Sequence, residues 1–279
     1  VTASLHTTGL PELEAEQTKL LRTAMLKLGY SDFVVSNIRT INMEKLSSGS
    51  DIQNALSIAA RYGFFDVGRT KCVVIEENRI EYRCARYGKY KDFIKNFNHA
   101  LETAIGALPE LLPNVGVKEC VLSYSDIISP FPNRNLKDYF KSQEIILPLS
   151  FLSSKTSSDL AQAGTMQATR LISQKLKIDI FLEQMTSQGG RLPKFLPNVI
   201  VEPDPAFSMN LGMILEEWNR RVGDYGLLLT RASKLSEKEL KQFNMIEEFS
   251  ELHKLTSETF FELIDMEVCK EDWEYRNSK

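Results

Sequence analysis

The chain of 279 residues lacks the motifs by which several common functional classes are identified. It contains neither the GxxxxGK[ST] loop that binds phosphates nor the GxSxG turn that carries a nucleophilic serine. Its longest apolar runs, such as GLLLT at 226–230, are far shorter than the ~20 residues that a helix needs to cross a bilayer. The first residues have no basic start and no apolar core, as a signal peptide would. We therefore expect a cytoplasmic protein with no membrane partner.

Residues that bind metals are also scarce. The chain has three histidines and four cysteines, with no CxxC pair and no Cys/His zinc spacing. The acids at 179 and at 202–204 form no recognisable metal or nuclease pattern. We therefore predict no metal site, no cofactor, and four buried, reduced thiols.

A β-hairpin predicted over 69–87 determines where two of these thiols lie. A two-residue turn at Glu77-Asn78, where asparagine tolerates a positive φ, puts Lys71 opposite Cys84. Because side chains alternate along a strand, Cys72 then faces the other side of the sheet. We predict no disulfide between Cys72 and Cys84.

The segments that are present predict an α+β fold. Hydrophobic residues make up 43% of the chain and charged residues 25%, as in ordinary globular proteins. Apolar periodicity predicts helices over 11–29, 89–108, 207–223 and about 246–265, and a short helix that Ser236 and Glu239 would cap. Strands are predicted over 33–43, 69–87, 115–128, 166–173, 176–186 and 224–232, while 55–65 fits either a helix or a strand. The second half starts with IILPLSFL at 145–152. The order of these segments predicts mostly antiparallel sheets in two halves, 1–144 and 145–279, each packed by long amphipathic helices. The two halves could equally form one continuous domain.

A basic and aromatic stretch at 82–95 is one candidate binding surface. The residues that we single out there are Arg83, Arg86, Tyr87, Lys89, Tyr90 and Lys91. Cations interleaved with aromatic rings are typical of surfaces that bind single-stranded nucleic acid through phosphate contacts and base stacking. The same aromatic positions also suit the end of a strand and the start of a helix, so a purely structural role is the alternative.

The order of four segments resembles a sporadically distributed family of uncharacterised bacterial proteins. The segments are VVIEENRIEYRCARYGKYKDF, CVLSYSDII, NLKDYF at 135–140, and ELHKLTSETFFELI with Trp273 further on. Tyr124 and Asp126 match the family's strand that ends in a tyrosine and an Asn or Asp, whereas Ser123 stands where a basic residue is expected. The match includes Leu252, His253 and Phe260 in the C-terminal helix. The resemblance implies a fold and a scattered occurrence, and it assigns no catalytic residue. Tyr124 and Asp126 are two further candidate binding residues.

His253 is the one candidate for a catalytic residue. A metal-binding pair on a helix needs another ligand three or four residues away, and Phe249, Ser250, Thr256 and Ser257 occupy those positions. His253 is expected either to lie at the edge of the core and hydrogen-bond a nearby strand, or to take part in binding or catalysis.

The first function that we expect is a non-catalytic component that binds a protein partner in a defence or toxin-neutralising system. The absence of a catalytic motif and the scattered occurrence of the similar family favour it. The alternatives are a nucleic-acid-binding component that uses the 82–95 stretch, and an enzyme whose site is assembled from residues far apart in sequence.

Overall fold

A computed structural model describes residues 1–41, 47, 56–131, 133–141, 164–185, 202–212 and 225–273. None of the helices in these ranges is long and apolar enough to cross a membrane. The segment IILPLSFL at 145–152 and most of the helix predicted at 207–223 lie outside the described residues, as does the predicted boundary between residues 144 and 145.

Nine strands in the described ranges form one antiparallel sheet, which confirms the predicted α+β class. The strands are β1 Thr2–Thr7, β2 Asp32–Ile41, β3 Leu56–Phe65, β4 Lys71–Glu76, β5 Arg79–Cys84, β6 Gly116–Ile128, β7 Gly164–Ile172, β8 Leu176–Met185 and β9 Tyr225–Glu239. Their order in the sheet is β2-β3-β4-β5-β1-β6-β9-β8-β7. The α-helices are α1 Ala15–Lys27, α2 Tyr90–Ala107, α3 Met245–Leu263 and α4 Met266–Trp273.

The chain divides into two compact units, of which the first contains Val1–Leu122, Glu202–Gly212 and Lys234–Ser250. Its core lies on one face of strands β1, β3, β4 and β5, where α2 packs its apolar side. Tyr82 of β5 is fully buried and stacks on Phe97 of α2 with ring centroids 5.6 Å apart. Helix α2 forms because its apolar residues recur every three or four positions, from Phe93 to Ala104, and all of these face the core.

The second unit contains Ser123–Val201, Met213–Ser233 and Glu251–Lys279. Its core joins strand and helix residues, namely Ile128, Leu136, Tyr139, Phe140, Leu182, Leu228, Ile264 and Cys269. A short bridge between Phe140 and Ile264 connects the segment after β6 to the end of α3. The hairpin of β7 and β8 adds Leu182 to this core and leaves most of β7 exposed.

The predicted register of the β4–β5 hairpin is confirmed. Lys71 lies opposite Cys84 and Val73 opposite Tyr82, so Cys72 and Cys84 face opposite sides of the sheet. All four cysteine side chains are buried, as predicted. The stretch at 55–65, which fitted either a helix or a strand, forms β3.

Three predicted helix starts are wrong. In the described part of the helix predicted over 207–223, a 3-10 turn ends at Phe207 and residues 208–212 are not helical. No helix begins at Ser236, because β9 continues to Glu239 and a 3-10 turn follows at Leu240–Gln242. The amide of Leu240 donates to the carbonyl of Val115 at 2.9 Å, and this pairing keeps the backbone extended where the local capping signal favoured a helix. Helix α1 begins at Ala15 rather than near residue 11, because Glu14 caps it and the amide of Leu10 is engaged by the carbonyl of Glu77.

Candidate functional site

The basic and aromatic stretch at 82–95 is divided between the core and the surface. Tyr82 and Phe93 are buried, with their ring centroids 5.1 Å apart. Tyr87 is half-buried, and its ring meets Phe93 edge-on at 5.8 Å. Tyr90, at the start of α2, is half-buried as well. The aromatic members of the stretch therefore pack largely against the core of the first unit.

The cations of this stretch do not form one surface. Arg86, Lys89 and Lys91 are exposed. Arg83, in contrast, is only 17% exposed and is held by two carboxylates, those of Glu81 and Glu202. Arg83 thus belongs to a buried ion-pair network rather than to a solvent-facing patch.

The network lies on the face of the sheet opposite to Tyr82. Arg79, Glu81 and Arg83 alternate along β5 and therefore project to the same face. Arg79 lies 2.8 Å from Glu76 of β4 and 3.2 Å from Glu81, and Arg83 pairs with Glu81. Arg61 of β3 pairs with Glu76 at 2.9 Å.

Glu202 completes the network from a segment distant in sequence. Both of its carboxylate oxygens accept hydrogen bonds from Arg61, at 2.8 and 3.0 Å, and one also accepts from Arg83 at 2.6 Å. Burial alone would raise the pKa of Glu202, but the hydrogen bonds from Arg61 and Arg83 outweigh it and lower the pKa to about 2. Three arginines and three glutamates therefore neutralise one another in this network, which is expected if its role is structural.

Residues 202–212 are fixed to the first unit by further contacts. Phe207 is fully buried beneath Arg61, whose guanidinium carbon lies 4.0 Å from the centre of the ring. Gly63 leaves room for this ring, because a Cβ there would lie 2.7 Å from it. Arg69, at a φ of 50°, donates to the carbonyls of Ala206 and Ser208. The whole segment is thus an integral part of the first unit.

The structure brings together Tyr124 and His253, two of the residues on which the family resemblance rests. The Tyr124 hydroxyl of β6 lies 3.0 Å from Nδ1 of His253 on α3, and the Ser257 hydroxyl lies 3.2 Å from the same nitrogen. The ring is half-buried, and burial lowers the pKa of His253, so the neutral imidazole is favoured. This geometry fits a histidine at the edge of the core that hydrogen-bonds a strand.

Asp126 lies on the same face of β6 as Tyr124, two residues further along the strand. Desolvation by burial raises the pKa of Asp126 to about 6. Asp126 is therefore a partly buried acid that titrates close to neutral pH, in contrast to Glu202.

Strand β7 lies at an edge of the sheet, and no motif in the sequence indicates this position. It forms one edge of the sheet, and every side chain from Met166 to Ile172 is exposed or half-buried. Met166 and Ile172 are 64% and 71% exposed. The other edge strand, β2, is half-buried from Asp32 to Val34. An edge strand differs from a central strand in its place in the sheet, and local sequence patterns do not determine that place. They could therefore not have identified β7 as an edge strand.

Within the described ranges, no three His, Cys, Asp or Glu side chains are arranged to hold a metal ion. Comparisons with protein-family models, with curated proteins and with solved structures find no match to this chain. Functional reasoning about the molecule therefore depends on its own geometry.

Proposed function

We propose that this protein is a non-catalytic binding protein that takes an extended segment of a partner polypeptide onto the outer edge of β7. The observation that carries the proposal is the nine-residue strand Gly164–Ile172, which forms an edge of the sheet among the described residues and is exposed or half-buried from Met166 to Ile172. Addition of a strand to a sheet edge is a common way of recognising peptides, in which main-chain hydrogen bonds give affinity and alternate side chains give specificity.

The composition of β7 supports this use. Edge strands in natural proteins are usually protected from pairing by short length, charges, prolines or bulges. The sequence of β7, GTMQATRLI, contains a single charge and no proline. That charge, Arg170, is paired with Asp179 of β8 at 2.5 Å. Little therefore opposes the approach of another strand.

The side chains of the hairpin indicate which segment would fit. Met166, Ala168 and Ile172 share one face of β7, and Phe181 of β8 lies opposite Ala168 on that face. The turn end of the hairpin adds Lys175 and Lys177. We expect a partner segment with apolar residues at alternate positions and an acidic residue that reaches the turn end of the hairpin. The defence or toxin-neutralising setting is part of the proposal and rests on the family resemblance alone.

The test is selection of peptides from a random library against the purified protein, followed by measurement of affinity and of amide hydrogen exchange. We expect the selected peptides to slow exchange in residues 164–172. The double variant Met166→Lys/Ile172→Lys should weaken their binding by tenfold or more, because it places two charges on the docking face.

The matched control is Leu20→Lys/Val67→Lys, which converts two exposed apolar side chains of the first unit in the same way. It should leave binding unchanged. The proposal would be contradicted if the peptides bound both double variants as well as they bind the wild type. It would also be contradicted if they slowed amide exchange in strands other than β7. Self-association in the absence of peptide, removed by Met166→Lys/Ile172→Lys, would instead identify a second copy of the chain as the occupant.

A further inference from the structure

We infer that the first unit contains a binding site for a small organic cation, a single ring or short alkyl chain that carries an ammonium group. The site is a cavity of about 220 Å³ between the loop before α1, strands β3 and β4, and the residues that follow α2. This site lies in a different unit from β7, so it is independent of the proposed peptide binding.

Part of the cavity wall is apolar. Its walls include Leu10, Leu13, Ile75, Leu108 and Leu112, and Ala60 leaves space on the β3 side. A dry cavity of about 150 Å³ accepts a benzene ring in other proteins. The volume here is therefore suited to one ring with a short substituent, and it is too small for most cofactors.

The Tyr62 hydroxyl supplies a polar contact within the cavity. Tyr62 is only 7% exposed and lines the cavity. Its phenol can offer a hydrogen bond to a ligand that occupies the cavity.

The charge of the lining favours a cation. Glu12 and Glu77 line the cavity and are exposed, and in the described ranges neither carboxylate forms an ion pair or a side-chain hydrogen bond. Glu76 also lines the cavity, but Arg61 and Arg79 already neutralise it. Among the described residues, the lining contains no lysine, arginine or histidine. Two unneutralised carboxylates beside a cavity with a partly apolar wall select a positively charged amphiphile over a neutral or anionic one.

The test compares three ligands of the same shape by isothermal titration calorimetry: 2-phenylethylammonium, 2-phenylethanol and 3-phenylpropionate. We expect the ammonium compound to bind most tightly and the carboxylate most weakly. The variant Glu12→Gln/Glu77→Gln should lower the affinity for the ammonium compound by about tenfold and leave that for the alcohol unchanged. A matched control, Glu102→Gln/Glu258→Gln, removes two exposed carboxylates outside the cavity and should change neither affinity.

Two further variants test the cavity itself. Ala60→Leu fills it and should abolish binding of both the ammonium compound and the alcohol, with the thermal midpoint showing that the variant is folded. Tyr62→Phe removes only the hydroxyl and should lower the affinity for 2-phenylethanol about fivefold. Absence of binding by all three ligands at millimolar concentration would overturn the inference. Equal affinities of the three ligands, or binding that a folded Ala60→Leu variant retains, would overturn it as well.

Discussion

Glu202 in the first unit and Asp126 in the second are both partly buried acids on a face of the sheet, and burial affects them in opposite ways. Glu202 accepts hydrogen bonds from two arginines, and its pKa falls to about 2. Asp126 accepts no such hydrogen bonds from arginine, and desolvation by burial raises its pKa to about 6. The two acids differ in whether arginines compensate the loss of water.

The comparison shows that the partners of a buried acid decide whether its pKa falls or rises. In the first unit the lowered pKa keeps Glu202 ionised down to low pH, and the network holds β3, β4, β5 and residues 202–212 together. In the second unit the pKa of Asp126 is raised to about 6, toward the range that pH-responsive and catalytic groups use. The pH dependence of stability near neutrality should therefore arise mainly in the second unit.

The largest expected effect comes from removing an arginine of the compensated network. Arg61→Leu leaves Glu76 and Glu202 buried without one of their partners and should lower the free energy of unfolding by about 3 to 5 kcal/mol. Arg170→Leu, which breaks the more exposed pair with Asp179, should cost less than about 1 kcal/mol. Urea unfolding of both variants measures the difference. Similar losses would show that the network is no more important than a surface ion pair.

The same carboxyl-to-amide change should have opposite signs in the two units. Glu202→Gln should destabilise the protein at pH 8 by about 2 kcal/mol, because arginine hydrogen bonds to a charged acceptor are lost. Asp126→Asn should stabilise it by about 1 to 2 kcal/mol at the same pH, because the folded state no longer has to bury an ionised carboxylate.

The pH dependence of these two variants follows from the direction of each pKa shift. The stabilisation from Glu202 is present above its ordinary pKa of 4.5 and is lost as pH falls toward about 2. The penalty from Asp126 is present above pH 6 and is relieved as pH falls from about 6 toward 3.8. The advantage of Asp126→Asn over the wild type should therefore disappear by about pH 4. An advantage that persisted there would show that ionisation is not its cause.

The smallest expected effect concerns the neutral pair of Tyr124 and His253. Tyr124→Phe and His253→Gln should each cost about 1 kcal/mol, and the double variant less than their sum, because both single changes remove one hydrogen bond. Because the folded-state pKa of His253 is lowered, its contribution is present above the ordinary value of 6.5 and is lost as pH falls below it. His253→Gln should lose less stability than the wild type as pH falls from 7.5 to 5.5. Additive losses would show that the two side chains do not interact.

Local patterns predicted those elements that depend on neighbouring residues. The turn at Glu77-Asn78 predicted the hairpin and its register, and the periodicity from Phe93 to Ala104 predicted α2 and its buried side. The same kind of signal failed at Ser236, where pairing of the backbone with β6 outweighed a local helix cap. Short-range preferences amount to about 1 kcal/mol per residue or cap, and several strand hydrogen bonds together exceed that.

The candidate sites were predicted in part. The resemblance singled out Tyr124 and His253 separately, and the structure places their side chains in hydrogen-bond contact. Arg83 was grouped with the neighbouring cations of its segment, yet its partners are Glu81 and Glu202. The cavity beside Tyr62 combines residues from four separate stretches of the chain, so no single segment contains a recognisable signal for it.

The sequence by itself determined which side chains share a face: Arg79, Glu81 and Arg83 alternate, and alternation is a property of any strand. Tertiary structure decided which distant residues contact that face. Glu202 lies 141 residues from Arg61 in the chain, and His253 lies 129 residues from Tyr124. Strand order and docking bring such residues together, and these depend on the packing of the whole core rather than on the spacing of neighbours. The same acid type is therefore fully ionised in one unit and titrates near neutrality in the other.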